Sequence, residues 1–298
     1  MTAPAAVPAA PALDLAPAAD LDLDASGLDL GRYLERIAAP GADALAGPVA
    51  DAATLRRLHR AHRLAVPFEN LDLVRGLGVS LALPDIEAKL VGARRGGYCY
   101  EQNLLFAAVL LRLGYRVSGL MGRTLLGSAV PRPRTHMLLR VGLGAGPDGA
   151  GPDGGEWLAD VGCGSLGPLE PLPLDPGRTV DQDGWTYRIA GTGGPGGELA
   201  LQIRRGDSWF GLYSFTLQAH HLVDYRVANH FSAGHPDSVF VRDVLVQLPG
   251  AAARIALRGR NLVEDLPDGR TVQRELADAG AVRAVLAERF GLEVDLPG

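Results

Sequence analysis

Arg94-Arg95-Gly96-Gly97-Tyr98-Cys99-Tyr100-Glu101-Gln102-Asn103 runs straight into Leu104-Leu105-Phe106-Ala107-Ala108-Val109-Leu110-Leu111. The second half is apolar at every position, the pattern of a helix buried on all sides, and Gly114 stands where a glycine ends one. The spacing predicts a helix whose first turn carries Cys99. Such a turn has unpaired N–H groups and a positive dipole end, which favour the nucleophilic thiolate. The glycine pair is read as turning the chain sharply and leaving room beside the sulfur for a reacting carbonyl.

A cysteine taken alone is more often an inert core residue. What gives Cys99 a chemical reading lies downstream. Thr135-His136-Met137-Leu138-Leu139-Arg140-Val141 alternates as a strand and Glu156-Trp157-Leu158-Ala159-Asp160-Val161 as a second, joined by a glycine-rich connector from Gly142 to Gly155. His136, Leu138 and Arg140 share a face. Symmetric closure of this hairpin sets His136 opposite Asp160 and Leu139 opposite Trp157, whereas a slip of one residue turns the carboxylate to the other face. In the first register Asp160 holds one imidazole nitrogen and the other faces Cys99, a constellation that works without a metal.

These residues resemble the bacterial arylamine N-acetyltransferases. The family's Arg-Gly-Gly-x-Cys-x-Glu-x-Asn signature matches Arg95 to Asn103, its Thr-His pair matches Thr135-His136, and its Asp-Val-Gly-x-Gly matches Asp160 to Gly164. The likeness extends from Leu28-Asp29-Leu30-Gly31-Arg32-Tyr33-Leu34 through Val66-Pro67-Phe68-Glu69-Asn70-Leu71-Asp72 and Asn229-His230-Phe231-Ser232 to the segment ending at Leu292. Only about the first 26 residues and the 142–155 insertion fall clearly outside it.

The resemblance implies an α+β fold: an N-terminal helical bundle, a central antiparallel β-barrel and a C-terminal α/β lid, with a cysteine-protease-like Cys-His-Asp triad. The expected divisions are a flexible tail over 1–26, a helical domain over 27–114, a barrel over 115–217 and a lid over 218–298. Cys99, His136 and Asp160 are then catalytic, and acetyl-CoA is the cosubstrate. Phe68, Tyr100 and Phe215 match aromatics at the family's acceptor pocket, while Thr135, Gly164 and His230 lie in segments that approach the coenzyme. Thr124 and Cys163 stand where relatives often carry a branched apolar residue and a phenylalanine, which implies a roomier and more polar pocket. The implied reaction is ping-pong transfer of acetyl through an acetyl-cysteine to an arylamine or hydrazine. An amide synthase that closes macrolactams from carrier-bound acyl chains is the competing reading. A cysteine hydrolase and a noncatalytic homologue are weaker ones.

Composition is compatible with this. The chain has 298 residues, 47% of them hydrophobic, enough for a substantial core. Net charge is −5 and Lys89 is the only lysine, so no basic tract offers itself to nucleic acid or an anionic membrane. No basic residue precedes Arg32, against a secretory or mitochondrial leader, and no apolar run is long enough to span a bilayer. Two cysteines make no disulfide framework and point to a reducing cytoplasm. The sequence sets no oligomeric state.

Thr54 to Ala65 reads as an amphipathic surface helix, with Leu55, Leu58, His62 and Ala65 inward and Arg56, Arg57, Arg60 and Arg63 outward. Helices are also expected from Pro84 through Leu90 and from about Ala281 to Phe290, and a strand over Val239 to Val246. Metal binding is not expected: His59 and His62 lack an acidic or cysteine partner, as do His220, His221, His230 and His235. Gly162-Cys163-Gly164-Ser165-Leu166-Gly167 fits a nucleotide-loop pattern, but Pro168 follows where a helix would have to open.

Overall fold

The structure is a computed structural model that describes residues 21–39, 50–128, 130–143, 155–194 and 196–296. Of the flexible tail expected over 1–26, residues 1–20 lie outside the described residues, as does most of the glycine-rich insertion, 144–154.

The chain opens with helices α1 (Leu30–Arg36), α2 (Ala52–Ala65), α3 (Leu71–Val74), α4 (Leu83–Glu87) and α5 (Cys99–Arg112), with a π-helical turn at Ala88–Gly92 after α4. Between α2 and α3 lies a two-residue strand, β1 (Phe68–Glu69). Eight antiparallel strands follow: β2 (Arg116–Thr124), β3 (Arg134–Gly142), β4 (Glu156–Ala159), β5 (Leu172–Pro173), β6 (Thr179–Gln182), β7 (Trp185–Gly191), β8 (Leu199–Arg205) and β9 (Ser208–Phe215). They pair in the order β5-β4-β3-β2-β9-β8-β7-β6 and curl into a nearly closed barrel. Helix α6 (Leu222–Gly234) leads into β10 (Leu245–Leu248), β11 (Arg254–Arg258), β12 (Asn261–Asp265) and β13 (Thr271–Glu275), and α7 (Ala279–Phe290) closes the lid. The fold is the expected α+β arrangement of helices, barrel and α/β lid.

Helix α5 is buried continuously from Cys99 to Leu110, as its uniform apolarity requires. Strand β3 explains what covers it. Met137, Leu139 and Val141 face the core shared with α5, whereas Leu138 points into the barrel interior with Leu120 and Leu158. Both faces of β3 are therefore buried, one against α5 and the other inside the barrel. The final helix begins two residues earlier than expected and ends at Gly291, whose φ of 65° suits glycine.

Three expectations change. Residues 21–26 are packed rather than loose: Leu21 and Ala25 are buried, and the Leu21 N–H donates to the Val117 carbonyl. Over 239–246 the chain forms a 3-10 turn at Val239–Val241 and reaches strand geometry only at Leu245, because the Phe240 ring is drawn against Phe68 and Tyr98. Helix α2 is not a surface helix. His59 and Arg63 are fully buried, Arg60 pairs with Glu170 and Asp183, and the Arg56 guanidinium lies over the Trp157 ring. Its cationic side is an interface with the barrel, where guanidinium groups find carbonyl, carboxylate and aromatic partners.

Candidate active site

Cys99 is the first residue of α5 and is 3% exposed. Glu101 caps the turn by accepting the Tyr98 N–H at 3.0 Å. Beneath it lies a charge network in which Lys89 reaches Asp72 and Glu101, each at 2.7 Å, and Arg95 reaches Glu69 at 2.7 Å. Burial pushes the Glu101 carboxyl up to about 7, against the lowering effect of Lys89. Gly96 and Gly97 do not open space beside the sulfur as expected. A side chain on Gly96 would strike the Pro67 carbonyl at 2.1 Å, and one on Gly97 would strike Glu101 at 2.6 Å, so both glycines serve close packing.

The residue that lets the hairpin approach Cys99 is Gly162, where a Cβ would lie 2.5 Å from Cys99 Cα. In the hairpin Leu139 pairs with Ala159 rather than Trp157, a displacement of two residues that preserves the face. Asp160 therefore lies just past the end of β4 and meets His136 diagonally. The His136 Nε2–H donates to Asp160 Oδ2 at 2.6 Å, since a carboxylate can only accept. The other ring nitrogen is left for Cys99.

Burial works against a charged imidazole, but the Asp160 carboxylate and the Cys99 side chain outweigh it and raise the pKa of His136. Asp160 moves the other way. Burial alone would raise it, and His136, Asn103 and Arg63 bring it below the usual carboxylate value. The pair is thus an imidazolium and a carboxylate at neutral pH, the state in which positive charge beside a sulfur stabilises the thiolate.

The remaining expected residues are placed unevenly. The Tyr100 hydroxyl donates to the Thr135 carbonyl at 2.6 Å, and the same carbonyl lies 3.8 Å from Cys99 Sγ. Cys163 Sγ joins the His136–Asp160 pair, with one ligand atom of each residue within 4.8 Å of the others. Burial, then the Asp160 charge, raise the Cys163 thiol well above its ordinary value. Thr124 is half-buried at the end of β2, opposite Tyr213. Phe68 packs on Phe240, and Phe215 is fully buried in the barrel core near Tyr213. Gly164 has a φ of 68° and its carbonyl accepts from Arg63 at 2.5 Å. His230 is exposed on α6, beside an Asn229 that accepts a hydrogen bond from the Tyr98 hydroxyl.

Several residues that position this site were not legible as such. Asn103, one helical turn from Cys99, donates to Asp160 Oδ1 at 3.0 Å. The His59 Nδ1–H donates to the Leu169 carbonyl at 2.8 Å while its Nε2 accepts the Asp160 N–H at 3.1 Å, a neutral tautomer fixed at both ends. Burial brings its pKa down to about 4. Arg63 and Arg254 staple the loop after Asp160 by donating to the carbonyls of Val161, Gly164, Ser165 and Gly167. The four-residue spacings from Cys99 to Asn103 and from His59 to Arg63 are the sequence signal that could have found these residues. The Tyr213 ring, 4.7 Å from that of His136, carried none.

The N-acetyltransferase family profile matches residues 51–297. The arylamine N-acetyltransferase of Mycolicibacterium smegmatis is 36% identical, covering 91% of this chain and 94% of that protein. The crystal structure of the Nocardia farcinica arylamine N-acetyltransferase superposes with a TM-score of 0.82 at 37% identity, covering 92% of each chain. The Mycobacterium marinum arylamine N-acetyltransferase in complex with CoA gives 0.77 at 36% identity, covering 89% of this chain and 93% of that one.

Proposed function

This chain belongs to the N-acetyltransferase family and is an acyltransferase, and from that premise we propose that it carries acetyl from acetyl-CoA to an arylamine or hydrazine nitrogen through an acetyl-Cys99 intermediate. In the first half-reaction the Cys99 thiolate attacks the thioester carbon. N–H groups of the first turn of α5 steady the oxyanion, and coenzyme A leaves with the proton of the His136 imidazolium. One thioester replaces another, so the step is nearly balanced. In the second half the amine attacks the acetyl-cysteine, the free ring nitrogen of His136 takes the amine proton, and the amide departs as the Cys99 thiolate is restored. Asp160 holds the ring throughout and stabilises its charge.

The observation that carries this reading is a cysteine at a helix start beside an imidazole anchored to a buried carboxylate at 2.6 Å. Within the same proposal Cys163, Thr124, Phe68, Tyr100 and Phe215 shape the acceptor pocket, and Thr135, Gly164 and His230 approach the coenzyme. The test is intact-protein mass after acetyl-CoA alone. One acetyl group should appear, map to Cys99, leave on addition of an arylamine, and be missing from Cys99→Ser. Acetyl found only on Cys163, or uptake only from a carrier-bound acyl thioester, would overturn it, the latter in favour of an amide synthase.

A further inference from the structure

Cys163 brings a second thiol to the catalytic pair. Among the described residues, His136, Asp160 and Cys163 are the one group of three His, Cys, Asp or Glu whose ligand atoms all lie within 4.8 Å of one another. Imidazole nitrogen, carboxylate oxygen and sulfur are the donors that a zinc-like cation takes, at about 2.0–2.3 Å, which sets tetrahedral ligands roughly 3–4 Å apart. Side-chain adjustment alone closes the set. The outer contacts are also in place: Asp160 Oδ1 is held by Asn103 Nδ2 and the Gly162 N–H, each at 3.0 Å, which leaves Oδ2 to turn to a metal.

We propose that His136, Asp160 and Cys163 form an inhibitory site for a divalent cation of the zinc type. Binding exchanges the Cys163 S–H for a metal–sulfur bond and an imidazolium N–H for a metal–nitrogen bond, releasing two protons to solvent with no change of oxidation state. The capped imidazole can no longer move a proton for Cys99, so the bound enzyme is inactive until a chelator removes the cation. The guanidinium groups of Arg63 and Arg254 favour the Cys163 thiolate but oppose a dication, which makes this site weaker than a structural zinc site.

Cobalt(II) is the probe, with the full chain. The protein has two cysteines, so in Cys99→Ala any thiolate-to-metal charge-transfer absorption comes from Cys163. The expected result is one Co²⁺ per chain with that absorption, displaced by Zn²⁺, and lost in Cys99→Ala/Cys163→Ala. A folded Cys99→Ala chain with no such band overturns the site. In the same background Asp160→Asn and His136→Ala should each weaken Zn²⁺ binding about tenfold or more, and unchanged affinity removes that residue from the ligand set. As a second arm, Cys163→Ala should raise the half-inhibitory Zn²⁺ concentration about tenfold, each rate being normalised to its own metal-free value. Equal sensitivity would refute the proposal. The spectroscopic arm needs no acetyl transfer, so its failure is distinct from failure of the proposed reaction.

Discussion

Asn103 and Asp160 are joined at 3.0 Å, and the same asparagine amide donates to the Met137 carbonyl at 2.8 Å while its oxygen accepts the Val161 N–H at 3.1 Å. One side chain therefore ties the helix of Cys99 to the strand of His136 and the turn of Asp160. Asn103→Ala leaves three buried polar groups without this partner, at about 1–3 kcal/mol for each unsatisfied group. The expected outcome is a folded but less stable protein whose kcat/KM falls at least about tenfold while KM for acetyl-CoA changes little. Unaltered kinetics at reduced stability would make Asn103 purely structural.

His136→Ala removes the proposed general base and the positive charge beside the sulfur. Alkylation of Cys99 near neutral pH should slow markedly, and turnover should fall by about 10²–10⁴-fold. Asp160→Asn should keep the fold, because Asn can still bond His136, yet lose activity because an amide cannot balance the imidazolium. Wild-type turnover in either variant would exclude that residue from the triad.

His59 gives the fold an acid sensitivity with a definite sign. Its pKa is about 4 in the folded chain against about 6.5 unfolded, so above pH 6.5 both states are neutral. As pH falls from 6.5 towards 4 the unfolded state takes up a proton that the native state refuses, and stability drops by roughly 3 kcal/mol. His62, also buried and held neutral, acts in the same direction. His136 has the opposite sign: its raised pKa contributes fully below pH 6.5, and that contribution is lost as pH rises through its folded value. Urea midpoints between pH 4 and 8 should reveal the acid loss, with a shallower slope in His59→Gln. An identical slope in that variant would assign the acid loss elsewhere.

Cys163→Phe tests the pocket. The cysteine packs on Gly167, where a Cβ would lie 2.5 Å from Cys163 Cβ, so a ring there has no room over Gly167. The kcat/KM for a bulky arylamine should fall selectively relative to that for a small one. Equal changes for both would mean that Cys163 lines no acceptor site.

The sequence by itself determined the elements that depend on local chemistry. The uniform apolarity of 104–111 specified a central buried helix, the glycines at 114 and 291 ended helices, and the motifs around Cys99, His136 and Asp160 specified the residues to bring together. Tertiary structure decided the rest. The β3–β4 register was part of it: a shift of two residues keeps every side chain on its face, so neither the burial pattern nor a turn signal across so long a connector encodes it. The arginine side of α2 read as solvated because periodicity reports polarity, not what lies opposite. Only the packed barrel supplies the carbonyls of 161–167 that make Arg63 and Arg254 interior residues, and only it sets Cys163 beside His136 and Asp160.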